Sequence, residues 1–196
     1  TAQVFQEMVD KARQMPLVIY DSFDEDLGLW EMGENIDDLG KSWWKLSGGR
    51  YEWRMEAGQG LVWWVSPDME PVGDFYLSAI AQKLEGSSSS SYGLAFRIFD
   101  IKHYYVLQIN EYQNYAVYAH DYEEGWIELI PWGNSAAISS DGPNHLEIIA
   151  QGSLFMFFIN GQLVNQVSDE RFASGTAGLL TGLDNAGESA SWVFDD

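Results

Sequence analysis

Apolar and polar residues alternate along most of this chain, and the alternation is cleanest over residues 92–121, YGLAFRIFDIKHYYVLQINEYQNYAVYAHD. Three strand-length segments lie there, separated at residues 100–102 and 111–113. A side-chain period of two marks strands with one buried face. Leu94, Phe96 and Ile98 fall on one face of the first segment, Tyr105, Leu107 and Ile109 of the second, and Tyr115, Val117 and Ala119 of the third. The other face then carries Arg97, Tyr104, Gln108, Tyr118 and His120, a set of rings and hydrogen-bonding groups that reads as a binding face. Gln82 on the preceding strand and Trp126 on the following one join it.

The remaining chain follows the same grammar after a different start. Val4, Phe5, Met8, Val9 and Ala12 recur at helical spacing and Pro16 ends the pattern, which predicts one short amphipathic helix over residues 1–15. That segment either packs on the domain, serves as a linker to an upstream part, or contacts a partner, including a second copy of the chain. Residues 17–23 read as the first strand, followed by strands at 42–46, 50–55, 61–65 and 74–84. The serine run at 86–91 reads as a hairpin loop joining two paired strands. Further strands follow at 126–130, 146–151, 154–159, 162–167, 176–183 and 189–194. Asn160-Gly161 is the strongest hairpin signal, because a two-residue type I′ turn needs positive φ at both central residues. About thirteen short strands at this spacing predict an all-β sandwich of two antiparallel sheets, one domain over residues 16–196.

Composition narrows the partners. Thirty acidic and ten basic residues leave a formal charge of −20, which repels phosphate backbones and anionic bilayers and argues against nucleic acid. There is no cysteine, so thiol nucleophiles and zinc–thiolate sites are excluded. No apolar run is long enough to span a membrane. The chain begins at Thr1 rather than Met, and an exported, extracytoplasmic protein that has lost an upstream segment is the preferred reading. Nine Trp, ten Tyr and ten Phe exceed what a core of this size needs and leave rings for stacking on ligands.

Several motifs in order resemble the concanavalin A-like lectin/glucanase superfamily in its laminin-G-like branch, which includes the 3-keto-disaccharide hydrolase group. They are DSFD with Trp30 following, YGLAFRIFD from Tyr92, LFMFFINGQLV from Leu154, TAGLLTG from Thr176 and the closing WVFDD from Trp192. The resemblance implies a jelly roll with a concave sheet that often binds glycans. It also implies, for the hydrolases of that superfamily, a Glu-x-Asp-x-x-Glu strand that sets two catalytic carboxylates on one face. No glutamate of this chain begins that pattern, so the expectation leans away from an enzyme of the usual kind. A non-catalytic carbohydrate-binding or adhesion module is the first reading. A glycoside hydrolase with a non-standard constellation and a structural interaction domain are the alternatives.

Other chemistry is thinner. Asp24, within an acidic cluster, and Asp195, near the C-terminus, come from opposite ends of the chain, and relatives often hold a structural calcium at such a junction. Two explanations stand, a calcium site with Asp24 and Asp195 as ligands, or solubilising turn acids. His103, His120 and His145 show no metal-ligand spacing, and no nucleophile elbow occurs. Trp43-Trp44 and Trp63-Trp64 each place one indole inward and one outward, since neighbours on a strand face opposite sides. Trp126 and Trp132 flank one strand and are placed to rim a cleft.

Overall fold

The computed structural model describes residues 7 and 9–196. Among them fourteen strands follow in order: β1 (Gly33–Asp37), β2 (Gly40–Leu46), β3 (Tyr51–Ala57), β4 (Leu61–Val65), β5 (Phe75–Glu85), β6 (Ser91–Asp100) and β7 (His103–Ile109). Then come β8 (Asn114–Asp121), β9 (Gly125–Asn134), β10 (Asn144–Gln151), β11 (Leu154–Ile159), β12 (Gln162–Ser168), β13 (Thr176–Leu183) and β14 (Ser189–Asp195). One sheet has eight strands in the order β1-β2-β3-β14-β5-β10-β11-β12; the other has six, β4-β13-β6-β7-β8-β9. Every ladder is antiparallel.

The two inner faces meet in one core. Leu94 and Phe96 of β6, Tyr105, Leu107 and Ile109 of β7, and Val117 and Ala119 of β8 face Trp53, Leu146, Phe155, Phe157, Trp192 and Phe194 of the larger sheet. Phe96 stacks on Tyr105 at 5.2 Å and meets Phe155 edge-on at the same centroid distance. The hairpin between β11 and β12 forms as its dipeptide demands, with φ of 51° at Asn160 and 75° at Gly161.

Three expectations are corrected. Residues 17–23 form no strand; Leu17 and Val18 are largely exposed, and the first strand is β1. Its sequence, GENID, carries no alternation because both of its faces meet solvent at the sheet edge. The serine run is no hairpin. β5 pairs with β14 and β10, β6 pairs with β13 and β7, and residues 86–90 carry the chain from one sheet to the other. Lys83 braces that crossover: its buried ammonium donates to the Gly86 and Ser87 carbonyls and pairs with Glu111 at 2.7 Å.

The third correction concerns the alternation itself. It holds from Tyr92 to Phe96 and breaks at Arg97, whose φ is 45° and where the β6–β7 register shifts. A residue in the left-handed region at a bulge reverses the facing of everything after it. Ile98 therefore lies on the outer face with Ala95 and Val106, and Arg97 turns inward. Its guanidinium donates to the carbonyls of Gly73 (3.1 Å), Phe172 (2.9 Å) and Gly152 (2.6 Å) and lies 4.8 Å from the Phe155 ring centroid. Gly175 passes so close that a Cβ there would sit 2.4 Å from the Arg97 carbonyl carbon.

The helical residues 9–12 pack Val9 and Ala12 onto Ile149, Met156 and Phe158 on the outside of the eight-stranded sheet. Arg13 pairs there with buried Glu147 at 2.5 Å, and Tyr76 donates to the same carboxylate oxygen at 2.7 Å. This part of the apolar stripe is spent on the protein's own sheet. Val4, Phe5 and Met8 lie outside the described residues, and partner contact through the helix gains no support.

Arg97→Met should lower stability by about 3 kcal/mol, because it removes the buried guanidinium and its hydrogen bonds to the carbonyls of Gly73, Gly152 and Phe172. Thermal or urea melts read this directly, and a wild-type midpoint would show that those bonds contribute nothing net.

Candidate functional site

The outer face of the six-stranded sheet is paved by small and aliphatic residues. Ala95, Val106 and Leu180 are fully buried there, with Ile98 beside them. What buries them is a cover of aromatic side chains from four strands. Tyr104 of β7 pairs across the ladder with His120 of β8, and His120 with Trp126 of β9. The strand register therefore brings three rings into one row.

Their geometry is close. Tyr104 stacks on His120 at 5.1 Å with 13° between planes, and Trp126 stands edge-on to His120 at 4.9 Å and to Tyr104 at 5.9 Å. Tyr118 meets Trp126 edge-on at 6.1 Å, and Trp64 of β4 meets Tyr104 at 5.7 Å. Offset-stacked and edge-on pairs are the favoured arrangements of ring quadrupoles. The His120 Nδ1 lies 2.8 Å from the Lys102 carbonyl oxygen. A carbonyl only accepts, so Nδ1 carries a proton and donates to it.

Beside this cluster opens a groove of about 350 Å³, lined by Ser91, Gln108, Tyr118, Trp126, Trp132 and Asp184 over Gly182 and Val62. Ser91 Oγ donates to Gln108 Oε1 at 2.8 Å. That bond orients the amide, whose NH₂ has no hydrogen-bond partner among the described residues. Gly182 keeps the floor open, since a Cβ there would fall 2.4 Å from Ser91 Oγ. Trp126 and Trp132 remain 46% and 43% exposed, so each presents a ring to solvent across the groove.

The tyrosines stay protonated. Burial pushes the Tyr104 hydroxyl up to about 12 against a small opposing hydrogen bond with Trp64. Burial, then the charge and hydrogen bond of Glu128, also raise Tyr118, whose hydroxyl lies 3.4 Å from Glu128 Oε2. Both therefore act as neutral donors and acceptors over the ordinary pH range.

Of the residues expected on this face, Tyr104, Gln108, Tyr118, His120 and Trp126 come together. Arg97 and Gln82 do not. Arg97 points into the sandwich for the reason given above. Gln82 lies on the other sheet, where β5 pairs it with Val193 of β14. Both displacements follow from long-range pairing and one left-handed residue, which local alternation does not reveal. Trp64 and Ser91 were not among the expected residues. Trp64 was within reach by strand alternation, since Trp63 packs into the core and Trp64 outside it. Ser91 was hidden in the serine run.

The segment before β1 meets the end of β14 without pairing with it as a strand. Tyr20 donates to Asp196 Oδ1 at 2.9 Å, which draws the segment before β1 against the end of β14. The Asp195 carboxyl is raised by burial first, then by the charge of Asp196, with Asp24 adding to it. Among the described residues no group of three or more His, Cys, Asp or Glu side chains is arranged to hold a metal ion.

No family model and no curated protein sequence matches this chain. Solved structures do match. The carbohydrate-binding module CBM66 from Bacillus subtilis superposes with a TM-score of 0.62 at 17% identity, covering 84% of this chain and 93% of that one. The catalytic domain of an endo-1,3-beta-glucanase (laminarinase) from Thermotoga petrophila gives 0.61 at 9% identity, covering 91% and 95%. A GH16 protein of a mixed linkage glucan locus in Bacteroides ovatus gives 0.59 at 8%, covering 89% and 96%. The shared architecture is a jelly-roll sandwich of two antiparallel sheets, and this chain has that fold. At these identities the likeness concerns the fold.

Raised tyrosine values make folding sensitive to alkali. The unfolded Tyr104 ionises near its ordinary value of 10.0, and the folded one near 12. The stabilising contribution is thus complete below pH 10 and is lost as pH rises toward 12. Denaturant midpoints should hold steady up to about pH 10 and then decline, less steeply in Tyr104→Phe. An equal decline in that variant would remove Tyr104 from the account.

Proposed function

We propose that this domain is a non-catalytic carbohydrate-binding module of an extracytoplasmic protein, taking a glycan across the outer face of the six-stranded sheet. The observation that carries this reading is the convergence of Gln108, Tyr118, Trp126 and Trp132 on one groove, beside the ring cluster of Tyr104 and His120. Sugar rings present C–H groups on their faces and hydroxyls around their edges. Trp126 and Trp132 suit the faces. The oriented Gln108 amide, Ser91 and Tyr118 suit the edges. Preorganisation by Ser91 and by ring–ring packing reduces the ordering cost of binding. The similarity in fold to a carbohydrate-binding module and to glucanases supports a glycan as the ligand class.

Hydrolysis is the second reading. Laminarinases share the fold, and Glu128 and Asp184 stand near the groove. Against it, the paired-carboxylate strand is missing from the sequence, and without it neither a nucleophile nor an opposed acid is supplied in the usual geometry.

Isothermal titration against neutral oligosaccharides, with reducing-sugar assays alongside, separates the two. Trp126→Ala should weaken binding roughly tenfold and Gln108→Ala about fivefold, with no sugar released by the wild type. Unchanged affinity in both variants would move the site elsewhere, and steady product release would make the domain an enzyme.

A structural calcium between Asp24 and Asp195 is a separate proposal, resting on the acidic residues that lie near the two ends of the chain. A bound ion stabilises only the native state. Chelator should then lower Tm and added calcium restore it; a Tm indifferent to both refutes the site.

A further inference from the structure

The outer face of the eight-stranded sheet holds a larger groove, about 710 Å³. The helix covers Ile149, Met156 and Phe158 elsewhere on this face, and none of the described helical residues lines the groove. Strand register builds its wall. Glu34 pairs with Trp43, Trp43 with Arg54, Arg54 with Ser191 and Ser191 with Glu85. One row of outward residues therefore crosses β1, β2, β3, β14 and β5, a distance of about 19 Å at ordinary strand spacing.

The centre of the row is set before any ligand arrives. The Trp43 indole N–H donates to Glu34 Oε2 at 3.2 Å, and the Arg54 guanidinium lies 5.9 Å from the Trp43 ring centroid. Lys45 and Glu52 close a 2.7 Å ion pair alongside. Across the groove Leu84 is 51% exposed. Arg54 and Glu85 enter no ion pair among the described residues, and Ser191 is short enough to leave the middle open.

We infer that this groove is a second saccharide site, in which a neutral glycan chain lies across the strands on Trp43. A ring held at its edge and over its face is a fixed platform for the C–H side of a sugar. Arg54, Ser191 and Glu85 offer the donors and acceptors that hydroxyls need. Charge selects the ligand: three acids against two bases line the groove, in a chain of net charge −20. An anionic polymer is repelled there, whereas a neutral one meets no such opposition. A protein partner is a poorer fit, because stable interfaces cover about 800 Å² per side around a desolvated apolar centre, and this row is mostly charged. Two sites on opposite sheets would let one domain engage two chains of an insoluble polysaccharide, gaining avidity.

Native affinity electrophoresis in gels containing laminarin, mixed-linkage β-glucan, mannan, xylan or fructan tests this. Trp43→Ala and Ser191→Tyr, each checked for a wild-type melt, should lose about tenfold in retardation, and Trp126→Ala should keep part of it. Should Trp43→Ala unfold, Ser191→Tyr alone decides, since it fills the groove without removing a buried group. If both groove variants migrate like the wild type while Trp126→Ala runs free, the second site is overturned and the six-stranded face remains. Loss in the groove variants with none in Trp126→Ala keeps this site and overturns the other. A wild type that no polymer retards overturns both.

Discussion

The arrangement of this sandwich turns on one cation in its interior. Arg97 brings a guanidinium in from the six-stranded sheet and spends its donors on Gly73, Gly152 and Phe172, carbonyls of three separate connections. Burial lowers its proton affinity, and carbonyl dipoles with the Phe155 ring offset part of the cost of holding the charge. A buried charge without such partners is prohibitively expensive. The three connections are therefore fixed relative to one another, and the left-handed turn that aims Arg97 inward also decides which residues of β6 face outward. Nearby, Tyr105 donates to Asp169 at 2.6 Å, and Asp169 pairs with Arg171, so the same end of the sandwich is held by a connected polar network.

Because the alternation reverses at that point, the outer face gains Ile98 to its apolar floor and carries no arginine. Its chemistry becomes largely aromatic, with the carboxylates of Glu128 and Asp184 at its side. Tyr104, His120, Trp126 and Tyr118 support one another by ring contacts, and Gln108 is oriented by Ser91. Surfaces of this kind hold their shape without a ligand, which suits recognition of sugars, whose individual contacts are weak. The opposite sheet uses another device: the N-terminal helix and the Arg13–Glu147–Tyr76 contacts cover one part, and the row through Trp43 stays open.

Much of this was legible locally. The strands at 61–65, 154–159 and 176–183 coincide with β4, β11 and β13, because their apolar content and bounding Gly or Asn-Gly turns act over a few residues. The outward rings of β7 and β8 were legible for the same reason. β1 was not, since an edge strand exposed on both faces has no hydrophobic period. Nor was the crossover at the serines, because a polar loop of that length suits a hairpin and a change of sheet equally well.

The sequence by itself determined that the chain forms short antiparallel strands around one apolar face and places Tyr104, Gln108, Tyr118 and His120 on the opposite one, because side-chain direction along a regular strand depends only on parity. The tertiary structure decided which strands are neighbours, and with that the separation of Gln82 from Gln108, the turning of Arg97 into the core and the row from Glu34 to Glu85. Those outcomes depend on pairing between residues far apart in the chain and on a single positive φ. Neither leaves a trace in the local pattern of apolar and polar residues.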